Sequence, residues 1–232
     1  MLNARHSSEK IQYIMKKTFN LMIATVFFVY SIATFADLAV APIKVACVGD
    51  SITYGGGLSD KKSYPAQLRV ALGDKWAVEN FGVSGATLLK NGDKPYWNLD
   101  RYQEAFKYQP NIVVIELGTN DSKAWNWVHK SEYVSNYVEL IKRFQNLESK
   151  PTVWISYPVP AYSSAWGISG EVITNEIVPM INEVAKMADV KIIDLYSVLS
   201  GRNEFFPDGI HPDAVGSKLI AATVATAISE GL

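Results

Sequence analysis

The run Ile43-Lys44-Val45-Ala46-Cys47-Val48-Gly49-Asp50-Ser51-Ile52-Thr53 joins an apolar, β-branched stretch to a glycine and then at once to Asp-Ser. Such a pattern predicts a buried strand whose C-terminal end hands a hydroxyl, that of Ser51, to solvent. A helix or turn starting just past the strand would aim backbone N–H groups at the same spot, where they favour negative charge. Taken alone, Asp50-Ser51 fits an ordinary helix cap equally well. Its meaning depends on what the rest of the chain brings beside it.

On the C-terminal side, strand and helix patterns alternate. Tyr54-Gly55-Gly56-Gly57 reads as a flexible turn, and residues 64–75 as a helix with Leu68, Ala71 and Leu72 on one face. Further strands are predicted at 76–81, 111–118, 151–157 and 190–195. Helices are predicted at 100–108, ending before Pro110, and from Ser131, where Tyr133, Tyr137, Leu140, Ile141 and Phe144 share a face. Two more cover Val172 to Val184 and residues 213–228. Strands apolar on both faces and alternating with helices call for a parallel sheet sandwiched by helices, an α/β fold. Ligands in that architecture gather beyond the carboxyl ends of the strands. The loops after strands one, two and three are thereby placed along one edge. No internal repeat or linker is visible, which predicts one domain.

On the N-terminal side, Met15-Lys16-Lys17 and the nearly unbroken apolar run 19–36 have the charged head and apolar core of a secretory signal. Cleavage is expected after Ala36, leaving 37–232 as the folded domain, with 1–14 read as an upstream extension ahead of Met15. A membrane anchor is the rival, since roughly 17 to 25 apolar residues span a bilayer. The small, polar end of the run favours removal, and with it a periplasmic or extracellular location. Residues 37–232 carry 18 basic and 22 acidic side chains, a net charge of −4. That balance argues against nucleic acid as a partner. Cys47 is the only cysteine, so stability must come from packing rather than an internal disulfide.

Histidine is scarce enough to be informative. Outside the segment expected to be removed there are two, His129 and His211. His211 lies in Asp208-Gly209-Ile210-His211-Pro212, just before the last helix. An Asp three residues ahead of a His can turn back and accept from Nδ1–H, fixing the tautomer so that Nε2 faces a nucleophile, here Ser51. The alternative is a plain bend started by Asp208 at Gly209. Acyl transfer also needs donors for an oxyanion: Ser51 N–H, an unshielded N–H at Gly85 and the Asn120 side-chain amide are available. Asn120 read as a cap, and Gly82 and Gly85 read as backbone geometry, remain open at this point. Two histidines and one cysteine do not make a usual zinc site, and neither metal nor cofactor is expected.

Gly49-Asp50-Ser51-Ile52, Gly85 within 80–87, Gly118-Thr119-Asn120-Asp121 and Asp208-Gly209-Ile210-His211-Pro212 resemble, in order, the four blocks of the SGNH, or GDSL-type, hydrolases. The resemblance spans nearly all of 37–232; Ile52 stands where the family usually has Leu. It implies a flavodoxin-like three-layer α/β/α sandwich around a five-stranded parallel sheet. It also implies Ser51 as nucleophile, His211 as base and acid, Asp208 as its orienter, and Ser51, Gly85 and Asn120 as the oxyanion hole. An ordinary α/β-hydrolase elbow is disfavoured because the second glycine of Gly-x-Ser-x-Gly is missing. No phosphate-binding P-loop or Gly-x-Gly-x-x-Gly motif is present.

The stretches 118–123, Asn126-Trp127 and 157–161 are similar to those of family members that deacetylate carbohydrates, such as sialate and plant-polysaccharide esterases. The expected activity is therefore hydrolysis of short acyl esters of sugars, O-acetyl foremost, on a small-molecule or glycan substrate and without stable membrane insertion. A lysophospholipase or thioesterase of the same fold, and a non-catalytic glycan-binding module, are the alternatives. Asp50, Trp97, Trp127 and Trp166 are the expected substrate contacts. Loop aromatics can stack on sugar faces or floor an acyl pocket, and can equally pin down loops.

Overall fold

The computed structural model describes residues 10, 12–20, 22, 41–59 and 62–230, which fall in two units, 1–41 and 42–232. In the first, residues 12–20 are helical, and the Thr18 hydroxyl donates to the Ile14 carbonyl at 2.9 Å. The expected cleavage point after Ala36, and most of the apolar core ahead of it, lie outside the described residues. No described helix is long and apolar enough to cross a membrane.

In the second unit, β1 (Ile43–Gly49), β2 (Trp76–Gly82), β3 (Ile112–Glu116), β4 (Thr152–Ser156) and β5 (Lys191–Ile193) form one sheet in the order β2-β1-β3-β4-β5. Every neighbouring pair is parallel. This is the doubly wound, flavodoxin-like order, and the winding direction reverses between β1 and β3. The crevice beyond those two strand ends is the natural place for a ligand.

Alternation along the strands divides the core in two. Val45, Cys47, Val114 and Trp154 face one layer, which α2 (Tyr64–Leu72) and α6 (Ala214–Glu230) cover through Tyr64, Leu68, Ile220 and Val224. Ala46, Val48, Val113 and Ile115 face the other, covered by α3 (Asp100–Lys107), α4 (Tyr133–Gln145) and α5 (Val178–Ala188). The short α1 (Ser51–Tyr54) follows β1 directly. The predicted three-layer α/β/α sandwich is therefore the observed fold.

Two boundaries depart from the sequence pattern. The fifth strand stops at Ile193 because the Asp194 side chain accepts from Ser197 N at 2.8 Å and starts a helix over Leu195–Leu199. The helix expected from Val172 is interrupted by a π turn, Ile173–Ile177, before α5 begins. Pro179, in the first turn of α5, has no N–H to return to the preceding turn, and the wider turn absorbs that gap.

Candidate active site

Ser51 opens α1 at the carboxyl end of β1 and is buried except for its pocket side. Asp50 ahead of it caps α1, its Oδ1 accepting from Ile52 N at 2.9 Å. Asn120 follows β3 across the switch point. Its Nδ2 donates to Asp50 Oδ2 at 3.3 Å and to the Ala86 carbonyl at 3.2 Å. Both contacts are long enough for a stronger acceptor to compete for either hydrogen.

The last loop brings the imidazole. His211 Nε2 lies 2.8 Å from Ser51 Oγ, and its Nδ1 lies 2.8 Å from Asp208 Oδ2. Asp208 Oδ1 also accepts from Ile210 N at 2.8 Å and His211 N at 2.7 Å, so the carboxylate is gripped by the residues it orients. Burial alone would raise the Asp208 carboxyl, but these N–H groups and the ring outweigh it and hold it below the usual range. From outside, Tyr162 N donates to the Gly209 carbonyl at 2.7 Å and Ser163 Oγ to the Asp208 carbonyl at 2.9 Å, bracing the loop. Hydroxyl, imidazole and carboxylate in line form the geometry that deprotonates an alcohol as it attacks an acyl carbon.

These groups open on a cavity of about 560 Å³ whose wall includes Ser51, Gly85, Asn120, Lys123, Trp166 and His211. Gly85, not Gly82, reaches it; the Gly82 N–H is spent on Asn80 Oδ1 at 2.9 Å. His129 does not line it and precedes a turn over Lys130–Glu132. Among the described residues no cluster of His, Cys, Asp or Glu could hold a metal ion.

Of the four residues expected to touch substrate, only Trp166 lines the cavity. It is largely exposed, with its ring centre 5.1 Å from that of His211, and it takes the left-handed φ of +54°. For a bulky residue that conformation is costly and marks a place held by its surroundings. Here Trp125 packs over Gly167, where a side chain would collide with the indole. Trp97 and Trp127 are corrected to packing roles. Trp97 donates to the Leu88 carbonyl at 2.7 Å beneath Lys90, and Trp127 is buried against Tyr133 with its indole N–H on Glu176 at 3.0 Å. Asp50 is fully buried and meets Asn120 and Ile52 instead of the cavity.

Sequence reading missed Lys123, Ile168 and Ile210 in the wall, and two buried carboxyls behind it. Asp121 accepts from Leu88 N and Leu89 N at 3.0 and 2.8 Å, yet burial still pushes its carboxyl up to about 7. Glu116 is buried at the end of β3, and burial and then the neighbouring Asp50 raise it. A Glu inside the otherwise apolar 112–117 was the available signal, because fully buried acids are rare unless paired.

Comparison with known proteins agrees with this architecture. The GDSL-like lipase/acylhydrolase family matches residues 47–219. The chain belongs to that family. It is 40% identical over 206 residues to an acetylxylan esterase of Xylanibacter ruminicola, covering 80% of this chain and 43% of that protein. It is 24% identical over 230 residues to a multidomain esterase of Ruminococcus flavefaciens, covering 80% and 29%. The chain thus spans less than half the length of these curated relatives. Among solved structures, a carbohydrate acetylesterase from Sinorhizobium meliloti superposes with a TM-score of 0.67 at 19% identity, covering 82% of this chain and 99% of that one. An aryl esterase of M. smegmatis superposes at 0.66 and 21% identity, covering 82% and 99%. At such identities these two share the fold.

Proposed function

We propose that this chain is a serine esterase that removes short acyl groups, O-acetyl foremost, from carbohydrates. The observation that carries the reading is the unbroken line from Asp208 through His211 to Ser51 Oγ, with two contacts of 2.8 Å. Ser51 Oγ attacks the ester carbonyl while His211 Nε2 takes its proton. The Ser51 and Gly85 N–H groups and the Asn120 amide receive the charge on the carbonyl oxygen. His211 then returns the proton to the departing sugar hydroxyl, leaving an acyl-Ser51, and the same steps with water release the acid. The leaving alcohol must lie beside His211, and so beside the exposed Trp166 ring, which we assign to the sugar face. The acetylxylan esterase among the relatives supports a polysaccharide acetyl ester as substrate.

Export belongs to the same proposal, with residues 1–36 as signal and 37–232 as the catalytic domain. Intact mass of the exported protein should correspond to a start at Asp37. With p-nitrophenyl acetate, Ser51→Ala should lower kcat by about 10⁴-fold or more, and His211→Ala nearly as much because the two act as a unit. Near-normal turnover by His211→Ala would refute the assignment. Acetate release from acetylated xylan outpacing hydrolysis of long-chain esters supports the substrate class; the reverse order points to a lipid acylhydrolase.

A further inference from the structure

Glu116, the last residue of β3, has no exposed surface, and the sheet register sets it opposite Gly49, one residue before Asp50. Its Oε2 accepts from Thr53 Oγ1 at 3.3 Å, while Oε1 has no donor to accept from. The register that sets Glu116 beside the end of β1 makes it a neighbour of Asp50, and each carboxyl alters the other's hold on its proton. No described lysine, arginine or histidine forms an ion pair with either carboxyl.

The surroundings give these carboxyls a few hydrogen-bond donors, Thr53 Oγ1 on Glu116 and Ile52 N, Asn120 Nδ2 and the Thr119 side chain on Asp50, but no ion pair to balance two negative charges. Thr53 of α1, Tyr64 of α2, and Tyr133 and Tyr137 of α4 are neutral; Asp121 adds a further acid; the His211 ring acts on Asp50 from the pocket side. Two carboxylates in contact in a dry site cannot both ionise, and one proton is retained between them. A proton on Glu116 would turn its carboxyl, one oxygen of which has no partner, into a donor toward Asp50. Asp50 then stays a carboxylate, the form that its acceptor contacts with Ile52 N and Asn120 Nδ2 favour.

We propose that Glu116 is a positioning residue that shares one proton with Asp50 and thereby fixes both the turn carrying Ser51 and the amide of Asn120. The catalytic half of this proposal rests on the esterase reading. Because the Asn120 amide takes up charge in the transition state, loss of its support falls on kcat and leaves KM nearly unchanged.

Glu116→Gln keeps a donor toward Asp50, whereas Glu116→Leu removes it. With p-nitrophenyl acetate the Gln variant should keep kcat within about threefold of the parent, and the Leu variant should lose about 100-fold, the scale of one oxyanion donor. A second readout needs no turnover. The infrared difference between the parent and Glu116→Gln at neutral pH should contain the carbonyl stretch of a neutral carboxylic acid. Absence of that band overturns the shared proton. A Gln variant as slow as the Leu variant at unchanged thermal stability, or a folded Leu variant with the parent's kcat, overturns the positioning role. Should the Leu variant fail to fold, the Gln variant and the band still decide. A parent protein that shows the band but no turnover sinks the esterase reading and the catalytic half with it, and leaves the shared proton standing.

Discussion

Gly56 leaves room for the imidazole of His211. A Cβ there would sit 2.9 Å from His211 Cδ2 and 3.2 Å from Nε2, inside ordinary contact distance. Gly56→Ala should therefore push the ring a few tenths of an ångström off the Ser51 hydroxyl. Since a displacement of about 1 Å in a reacting array costs about 100-fold, kcat should fall by about tenfold. Steady-state kinetics beside a melting curve check this, and an unchanged kcat with a lowered melting temperature would place the strain elsewhere. In the sequence the glycine triplet announces only a turn, because the partner that gives Gly56 its meaning lies near the other end of the domain. That Ser51, Asp208 and His211 meet was legible because each sits in a local motif and the order of motifs carries the constellation. Trp97 and Trp127 were misread for the converse reason. Nothing local distinguishes an indole facing a pocket from one that donates to a carbonyl or to Glu176 across the fold.

Elements were easier to read than side chains. In α4, Tyr137, Leu140, Ile141 and Phe144 are all buried, so the helical spacing that predicted the element also named its inner face. Phe144 meets Phe106 of α3 with ring centres 4.4 Å apart, tying two helices on one side of the sheet. Phe144→Ala should accordingly cost about 4 kcal/mol of stability, with the fold retained. Urea denaturation followed by circular dichroism measures it, and a loss under about 1 kcal/mol would mean that the two helices close over the gap. The boundaries that escaped prediction are those decided by single side chains. Asp194 converts the end of an apolar run into a helix start, and Pro179 forces a wider turn into a helix whose apolar spacing looks continuous.

For the domain as a whole, the cost of the site's design is concentrated in its buried acids. Burial pushes Asp50 up to about 6 and Asp121 up to about 7, and Glu116 is raised as well. In the unfolded chain these carboxyls lose their protons near pH 4. Between that pH and each group's folded value the native state binds more protons than the unfolded one, so stability falls as pH rises, by at most about 1.4 kcal/mol per pH unit for each group. Asp208 works the other way. Its lowered carboxyl adds stability that is present above about pH 4 and lost as pH drops through its folded value. The two windows together place the stability maximum in mildly acidic solution. Urea midpoints should decline from pH 5 to pH 7. Asp121→Asn, which still offers Oδ1 to Leu88 N or Leu89 N but carries no proton to lose, should show a shallower decline over that interval even though it starts from a lower stability. Parallel declines in parent and variant would show that Asp121 is already ionised at pH 5, held so by its two backbone donors, and would move the burden onto the Asp50–Glu116 pair.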